Sequence, residues 1–274
     1  MTTNRVTGVL TGVLITALIQ SSSATTVMVV SFVNAGLLTL TQSIGVIMGA
    51  NIGTTVTAWL ISALGFKVDI AAFALPLLAF GIPLLFSGKS SRKSVGEFIF
   101  GFSFLFMGLQ ALKANAPDLG ANPEMLAFVQ NYTDMGFLSI ILFLFIGAIL
   151  TMIVQASAAT MAITLIMCAN GWIDYHLGVA LVLGENIGTT ITANLAALTG
   201  NTQSRRAALA HLVFNIFGVM WVLVLFYPFT AAVSWFVTDV MNISDPAVAV
   251  SFKLAAFHTV SYTHLRAHET DQYL

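Results

Sequence analysis

Charge is what this sequence has least of. Only 8% of its 274 residues are charged and 58% are hydrophobic, against roughly 25% charged in an average soluble domain. A soluble fold is therefore excluded. Ten Lys and Arg nearly cancel eleven Asp and Glu, so no basic face is available to neutralise nucleic-acid phosphates. The lone cysteine, Cys168, lies in the apolar run 163–169. That rules out a disulfide framework or thiolate metal site and leaves a small packing residue. A serine hydrolase would need the elbow G-x-S-x-G, which is missing. The stretch G-A-N-I-G-T-T (Gly49 to Thr55) lacks the lysine of a phosphate loop, so nucleotide binding is not expected. His211 and His258 lie in or at the end of apolar segments and read as helix-packing residues, and nothing distinguishes His176. No enzyme and no cofactor is expected.

What the chain does have is an internal repeat. Q-S-S-S-A-T (Gln20 to Thr25) returns as Q-A-S-A-A-T (Gln155 to Thr160), and G-A-N-I-G-T-T returns as G-E-N-I-G-T-T (Gly184 to Thr190), both displaced by 135 residues. Without a gap, 20–60 matches 155–195 at 14 of 41 positions, crowded into these polar motifs. The N-terminus imitates a signal peptide, with Arg5 before the apolar stretch 6–19 and small residues at 21–24. That reading is set aside because the cleavage-like region recurs within a later apolar segment.

Apolar runs long enough to cross a bilayer predict spans over 43–66, 70–86, 95–113, 177–198 and 207–229, with a last one starting near Ala247. The stretches 6–33 and 136–169 differ, because each has polar residues at its middle. Unpaired backbone is tolerated in lipid only inside protein or beside a wet cavity, so each reads as a re-entrant hairpin of two half-helices. Three spans between the hairpins would invert the second copy. The loop charges agree: Arg5, Lys89, Arg92, Lys93, Arg205 and Arg206 fall on one side, expected to be cytoplasmic. Asp118, Glu124, Asp134, Asp239 and Asp245 fall on the other. The expected fold is an all-α polytopic membrane protein of two inverted-topology repeats with broken helices, a plan common in secondary transporters. Hairpins that instead span once or twice remain open.

Residues 20–26 offer one amide and five hydroxyls, from Ser21, Ser22, Ser23, Thr25 and Thr26, and no Lys or Arg lies in any of the four motifs. An anion held there must be balanced by half-helix N-termini and co-bound cations. Hydroxyl and carbonyl oxygens are hard ligands suited to Na+. Single Ser and Thr residues also serve only to bond helix backbones, so the duplication carries the inference. Glu185 lies in a span, where an ionised carboxylate costs about 2.5 to 3.5 kcal/mol. It is expected to hold a cation or proton, and its counterpart in the first copy is Ala50.

Paired Q-S-S-S and N-I-G-T-T motifs, one set per half, resemble the sodium and phosphate cotransporter family, the type II transporters and their bacterial relatives, from about Arg5 to Val260. The resemblance implies sodium-coupled symport of inorganic phosphate, with Na+ as the coupling ion, in the cytoplasmic (inner) membrane. It also implies that Gln20, Ser21, Ser22, Ser23 and Thr25 line the cavity with Gln155 and Ser157. Asn51, Thr54 and Thr55 would face Asn186, Thr189, Thr190 and Thr192. Gln155, Thr189 and Thr192 would be the foremost sodium ligands, with Thr190 a further one; Glu185 joins them as a candidate through its charge within a span, not through the resemblance. Two departures bear on stoichiometry: Ala156 and Ala158 stand where the family has serines, and Glu185 replaces a small residue.

The expected organisation is a first repeat over 1–113, an extracellular or periplasmic linker over 114–135, and a second repeat over 136–260 with an incomplete last helix. From Ser261 the chain turns polar, and 261–274 reads as a non-native or disordered tail, so its His264, Arg266, His268 and Glu269 are not taken as a metal site. Bacterial relatives often continue into a soluble helical domain. Two alternatives stay open: transport of another small oxyanion, such as sulfate or a dicarboxylate, and a phosphate-binding membrane sensor without flux. The expected partners are phosphate, sodium and lipid; a homo-oligomer is compatible with the sequence.

Overall fold

The computed structural model describes residues 4–67, 71–115 and 131–269. Most of the expected linker, with Asp118 and Glu124, lies outside these residues. The chain is helical: α1 (Arg5–Ile19), α2 (Ser22–Asn34), α3 (Leu40–Lys67), α4 (Ala71–Leu85), α5 (Ser90–Ala114), α6 (Phe137–Val154), α7 (Ser157–Ala169), α8 (Tyr175–Gly188), α9 (Thr190–Ala197), α10 (Thr202–Val224), α11 (Phe226–Trp235) and α12 (Pro246–Glu269), with a π-helical turn, Phe236–Val240, after α11. Among the described residues, four stretches are long and apolar enough to cross a membrane: Leu40–Leu64, Ser90–Ala111, Phe137–Val154 and Thr202–Val224.

The sequence repeat is also a repeat of local geometry. α1–α2–α3 and α6–α7–α8 share one set of devices, each 135 residues apart. Gln20 and Gln155 end α1 and α6 in the left-handed region, at φ 58° and 55°, with their N–H groups donating to Thr16 and Thr151. Gly36 and Gly171 make the turns after α2 and α7, at φ 72° and 70°, where only a residue without Cβ is free of strain. Thr39 and Asp174 then cap α3 and α8 by accepting from the N–H groups of Gln42 and Leu177. Finally, α1 lies against α3 and α6 against α8 backbone to backbone. A Cβ on Gly49 would collide with the Val9 carbonyl and come 2.7 Å from Gly12 Cα. One on Gly184 would collide with the Leu144 carbonyl and come 2.7 Å from Ala148 N.

The copies are not separate bodies. α2 packs on α9 and α10, and α7 packs on α3, so the second limb of each hairpin lies against helices of the other copy. The main core includes Leu165, Val179, Val182, Leu183, Leu254 and Phe257. α4 and α5 pack chiefly on each other and expose Phe73, Phe80 and Phe98.

The bounds of the helices differ in places from the apolar runs. Within the run 177–198, α8 and α9 meet at Thr189, whose backbone stays helical at φ −59° and ψ −27° and donates to the Glu185 carbonyl at 2.9 Å. The run 207–229 ends at Val224 because Pro228 has no N–H to donate and its ring crowds the carbonyl four residues earlier. α12 continues to Glu269, and Ser261 and Tyr262 are buried. The parity behind the inversion also rested on a full span over 70–86, whereas α4 has 15 residues, about 22 Å long against a hydrocarbon core of about 30 Å.

Candidate functional site

Each copy centres on a break between two helices. Thr16 sits in the last turn of α1 and Thr25 in the first turn of α2, and Thr16 Oγ1 donates to Thr25 Oγ1 at 3.0 Å. Thr151 and Thr160 repeat this at 3.1 Å. Nine residues of straight helix would separate such side chains by about 13 Å, so the chain folds back at each glutamine. Sequence reasoning missed Thr16 and Thr151. They carry the same 135-residue displacement, which would have found them.

The two breaks are closed differently. In the first, Ser21 caps α2 by accepting from Ala24 N at 3.2 Å. Gln20 donates from Nε2 to the Ala17 carbonyl at 2.6 Å and accepts from Thr57 Oγ1 at 2.8 Å, pinning the break to α3. In the second, Ala156 has no side chain to cap α7, and Gln155 is exposed. Thr192, the repeat partner of Thr57, donates instead to the Thr189 carbonyl at 3.0 Å. The first break is latched and the second is open.

The hydroxyls named from sequence are largely turned onto their own helices. Thr54, Thr55, Thr189 and Thr190 donate to the carbonyls of Ala50, Ile52, Glu185 and Ile187 at 2.7 to 3.1 Å, and Thr25 and Thr26 to those of Ser21 and Ser22. Their oxygens keep lone pairs, so such threonines can still accept a donor or a cation. Ser22 is buried, while Ser23 and Ser157 are partly so. The expected facing of Asn51, Thr54 and Thr55 toward Asn186, Thr189, Thr190 and Thr192 is indirect. α3 and α8 each pack mainly on their own copy's hairpin, and the copies meet through α2, α7, α10 and α12.

α10 supplies what sequence reading had assigned to packing. His211 Nε2 lies 3.0 Å from Asn51 Oδ1, Asn215 Nδ2 donates to the His211 carbonyl at 2.8 Å, and Tyr262 Oη donates to Asn215 Oδ1 at 3.3 Å. The spacing of His211 and Asn215, one helical turn, was the available signal. Tyr262 was missed because it falls in the segment read as a tail. Beside this chain, Glu185 is 1% exposed, and its Oε2 has no hydrogen-bond partner. His258, also buried, stacks near Tyr262 at 5.2 Å between ring centroids.

The sequence that carries these breaks is similar to known proteins. The family described as Na+/Pi-cotransporter matches residues 1–114 and 121–257. The chain belongs to that family. With four helices of spanning length, this member of the Na+/Pi-cotransporter family is a multi-pass membrane protein. It is 31% identical over 255 residues to the Bacillus subtilis protein YqeW, covering 92% of this chain and 77% of that one. It is 30% identical over 220 residues to YjbB of Salmonella typhimurium, provisionally named for inorganic phosphate export, covering 79% of this chain and 38% of that protein. A 74-residue stretch, 26% of this chain, is 47% identical to the sodium-dependent phosphate transport protein 2A of Ovis aries, 12% of whose length it covers. No solved structure matches.

Proposed function

We propose that this chain is a secondary transporter that moves inorganic phosphate across a membrane by symport with sodium. The observation that carries the reading is the twice-made break at Gln20 and Gln155, in a chain of this family. At each break a helix N-terminus, of α2 or α7, presents backbone N–H groups that favour an anion. Around these breaks lie neutral oxygens from Thr25, Thr57 and Thr160 that favour a hard cation such as Na+. Without a basic side chain in the motifs, phosphate charge is balanced by helix ends and co-bound sodium. The two copies are read as inverted re-entrant hairpins, with Gln155, Thr189 and Thr192 holding one sodium.

The test is uptake of radiolabelled phosphate by proteoliposomes holding the full chain. Uptake should require sodium and fall at least about tenfold in Gln155→Ala and in Thr189→Val, the loss expected when one ligand contact of about 1.4 kcal/mol is removed. Uptake equal in sodium and choline would refute the symport. One relative is provisionally named for phosphate export, which favours a second reading with net outward flux; loading the vesicles with phosphate and following its efflux separates the two. Competition by unlabelled sulfate or a dicarboxylate tests for another oxyanion.

A further inference from the structure

We propose that Lys253 of α12 and Tyr175 of α8 form a station for a small oxyanion, outside the polar motifs and passed on the way to them. This rests on the phosphate reading above and places a basic contact where the motifs have none. The other basic side chains that the structure describes, Lys89, Arg92, Lys93, Arg205 and Arg206, are exposed, whereas Lys253 is half-buried between the buried Phe252 and Leu254. Its ammonium lies over the Tyr175 ring, 5.9 Å from the centroid, within reach of a cation–π attraction. It has no carboxylate partner: the ion pairs among the described residues are Lys93 with Glu97 and His176 with Asp174. Asp174, next to Tyr175 in the chain, is spent on capping α8 through Oδ1 and on His176 through Oδ2.

What the pair lacks is an acceptor. An ammonium has three donors and no acceptor, and a phenol hydroxyl donates one hydrogen bond. Tyr175 Oη is buried with no hydrogen-bond partner, which is unfavourable, and a charge drawn out of water without a counter-charge is more so. One oxyanion meets both needs, because its oxygens accept from Lys253 and Tyr175 together and its charge balances the ammonium. A sodium ion or an apolar solute meets neither. The position suits an approach to the motifs. α8 and α12 lie side by side here, since a Cβ on Gly178 would come 3.2 Å from Leu254 Cδ2. Lys253 lies about 10 Å along α12 from its exposed start at Pro246. From Tyr175, α8 runs on to the second motif at Gly184, about 14 Å away. A lysine inside a membrane domain marks an ion pathway by default, and this one stands between the outer end of two helices and a motif that has no cation of its own.

Equilibrium binding of radiolabelled phosphate to the purified full chain in detergent, at low and at high ionic strength, tests the station. Lys253→Met keeps an apolar stem and removes the charge. It should weaken phosphate binding at low ionic strength by at least about tenfold, the loss of one charged contact, and flatten the dependence on salt, while Lys253→Arg keeps both near native. In proteoliposomes Lys253→Met should raise the KM for phosphate and leave kcat near native, the pattern of a lost binding contact. Native-like affinity and salt dependence in Lys253→Met would overturn the station. So would equal losses in Lys253→Met and Lys253→Arg with a lower unfolding temperature in both, which would place the lysine in packing. Weaker phosphate binding by Lys253→Met, in a protein whose phosphate flux ignores sodium, would support the station while refuting the symport.

Discussion

At the scale of residues, the consequential pair is Gln20 and Thr57. Their 2.8 Å bond spans two elements at a half-buried break. Thr57→Val removes the donor and leaves the glutamine oxygen without it, a change of about 1 to 3 kcal/mol. The expected outcome is a lower unfolding temperature in detergent, with phosphate uptake reduced and Thr57→Ser restoring both; a native-like Thr57→Val would deny the latch a role. Gly49 and Gly184 make a matched prediction. A methyl on either would strike backbone across the α1–α3 or α6–α8 contact, and overpacking of this kind costs about 1 to 3 kcal/mol. Gly49→Ala and Gly184→Ala should therefore lose similar amounts of thermal stability. Most of these residues were legible. Thr57, Thr16 and Thr151 follow from the repeat once the displacement is known. His211, Asn215 and Tyr262 were not, because apolar neighbours describe a packing histidine and a hydrogen-bonded one equally well, and because Tyr262 lies beyond the abrupt polarity after Val260.

At the scale of elements, the asymmetry between the two breaks becomes a prediction about motion. α3 carries Thr57 to Gln20, whereas Thr192 donates to the Thr189 carbonyl and Gln155 is exposed. If the transporter exchanges these two arrangements as it works, a latched second break is the counterpart state. Cysteines at 20 and 57 should then be bridged by a short bifunctional maleimide in the absence of substrate, and cysteines at 155 and 192 chiefly when sodium and phosphate are present. Native Cys168 is buried and should contribute little background. Equal bridging of both pairs in every condition would mean that the difference is static. The helices themselves were foreseen from apolar runs and polar interruptions. Their ends were not, since the stop at Val224 depends on one proline inside otherwise continuous apolar sequence.

At the scale of the whole molecule, reciprocal packing of α2 on α9 and α10 and of α7 on α3 makes one body from two copies. No hydropathy count contains that, because which limb crosses to which copy is decided by shape. The proposed inversion has a direct consequence: cysteines replacing Lys89 and Arg205 should react with a membrane-impermeant maleimide from one side of the membrane, and those replacing Asp134 and Asp245 from the other. Labelling of all four from the same side would rule out the charge-based topology. Sodium-driven phosphate movement itself is tested most directly in proteoliposomes with equal phosphate on both sides and only the sodium gradient varied. An inward sodium gradient should accumulate labelled phosphate, and a reversed gradient should drain it. Phosphate that equilibrates at the same rate and to the same level whichever way sodium runs would contradict the symport.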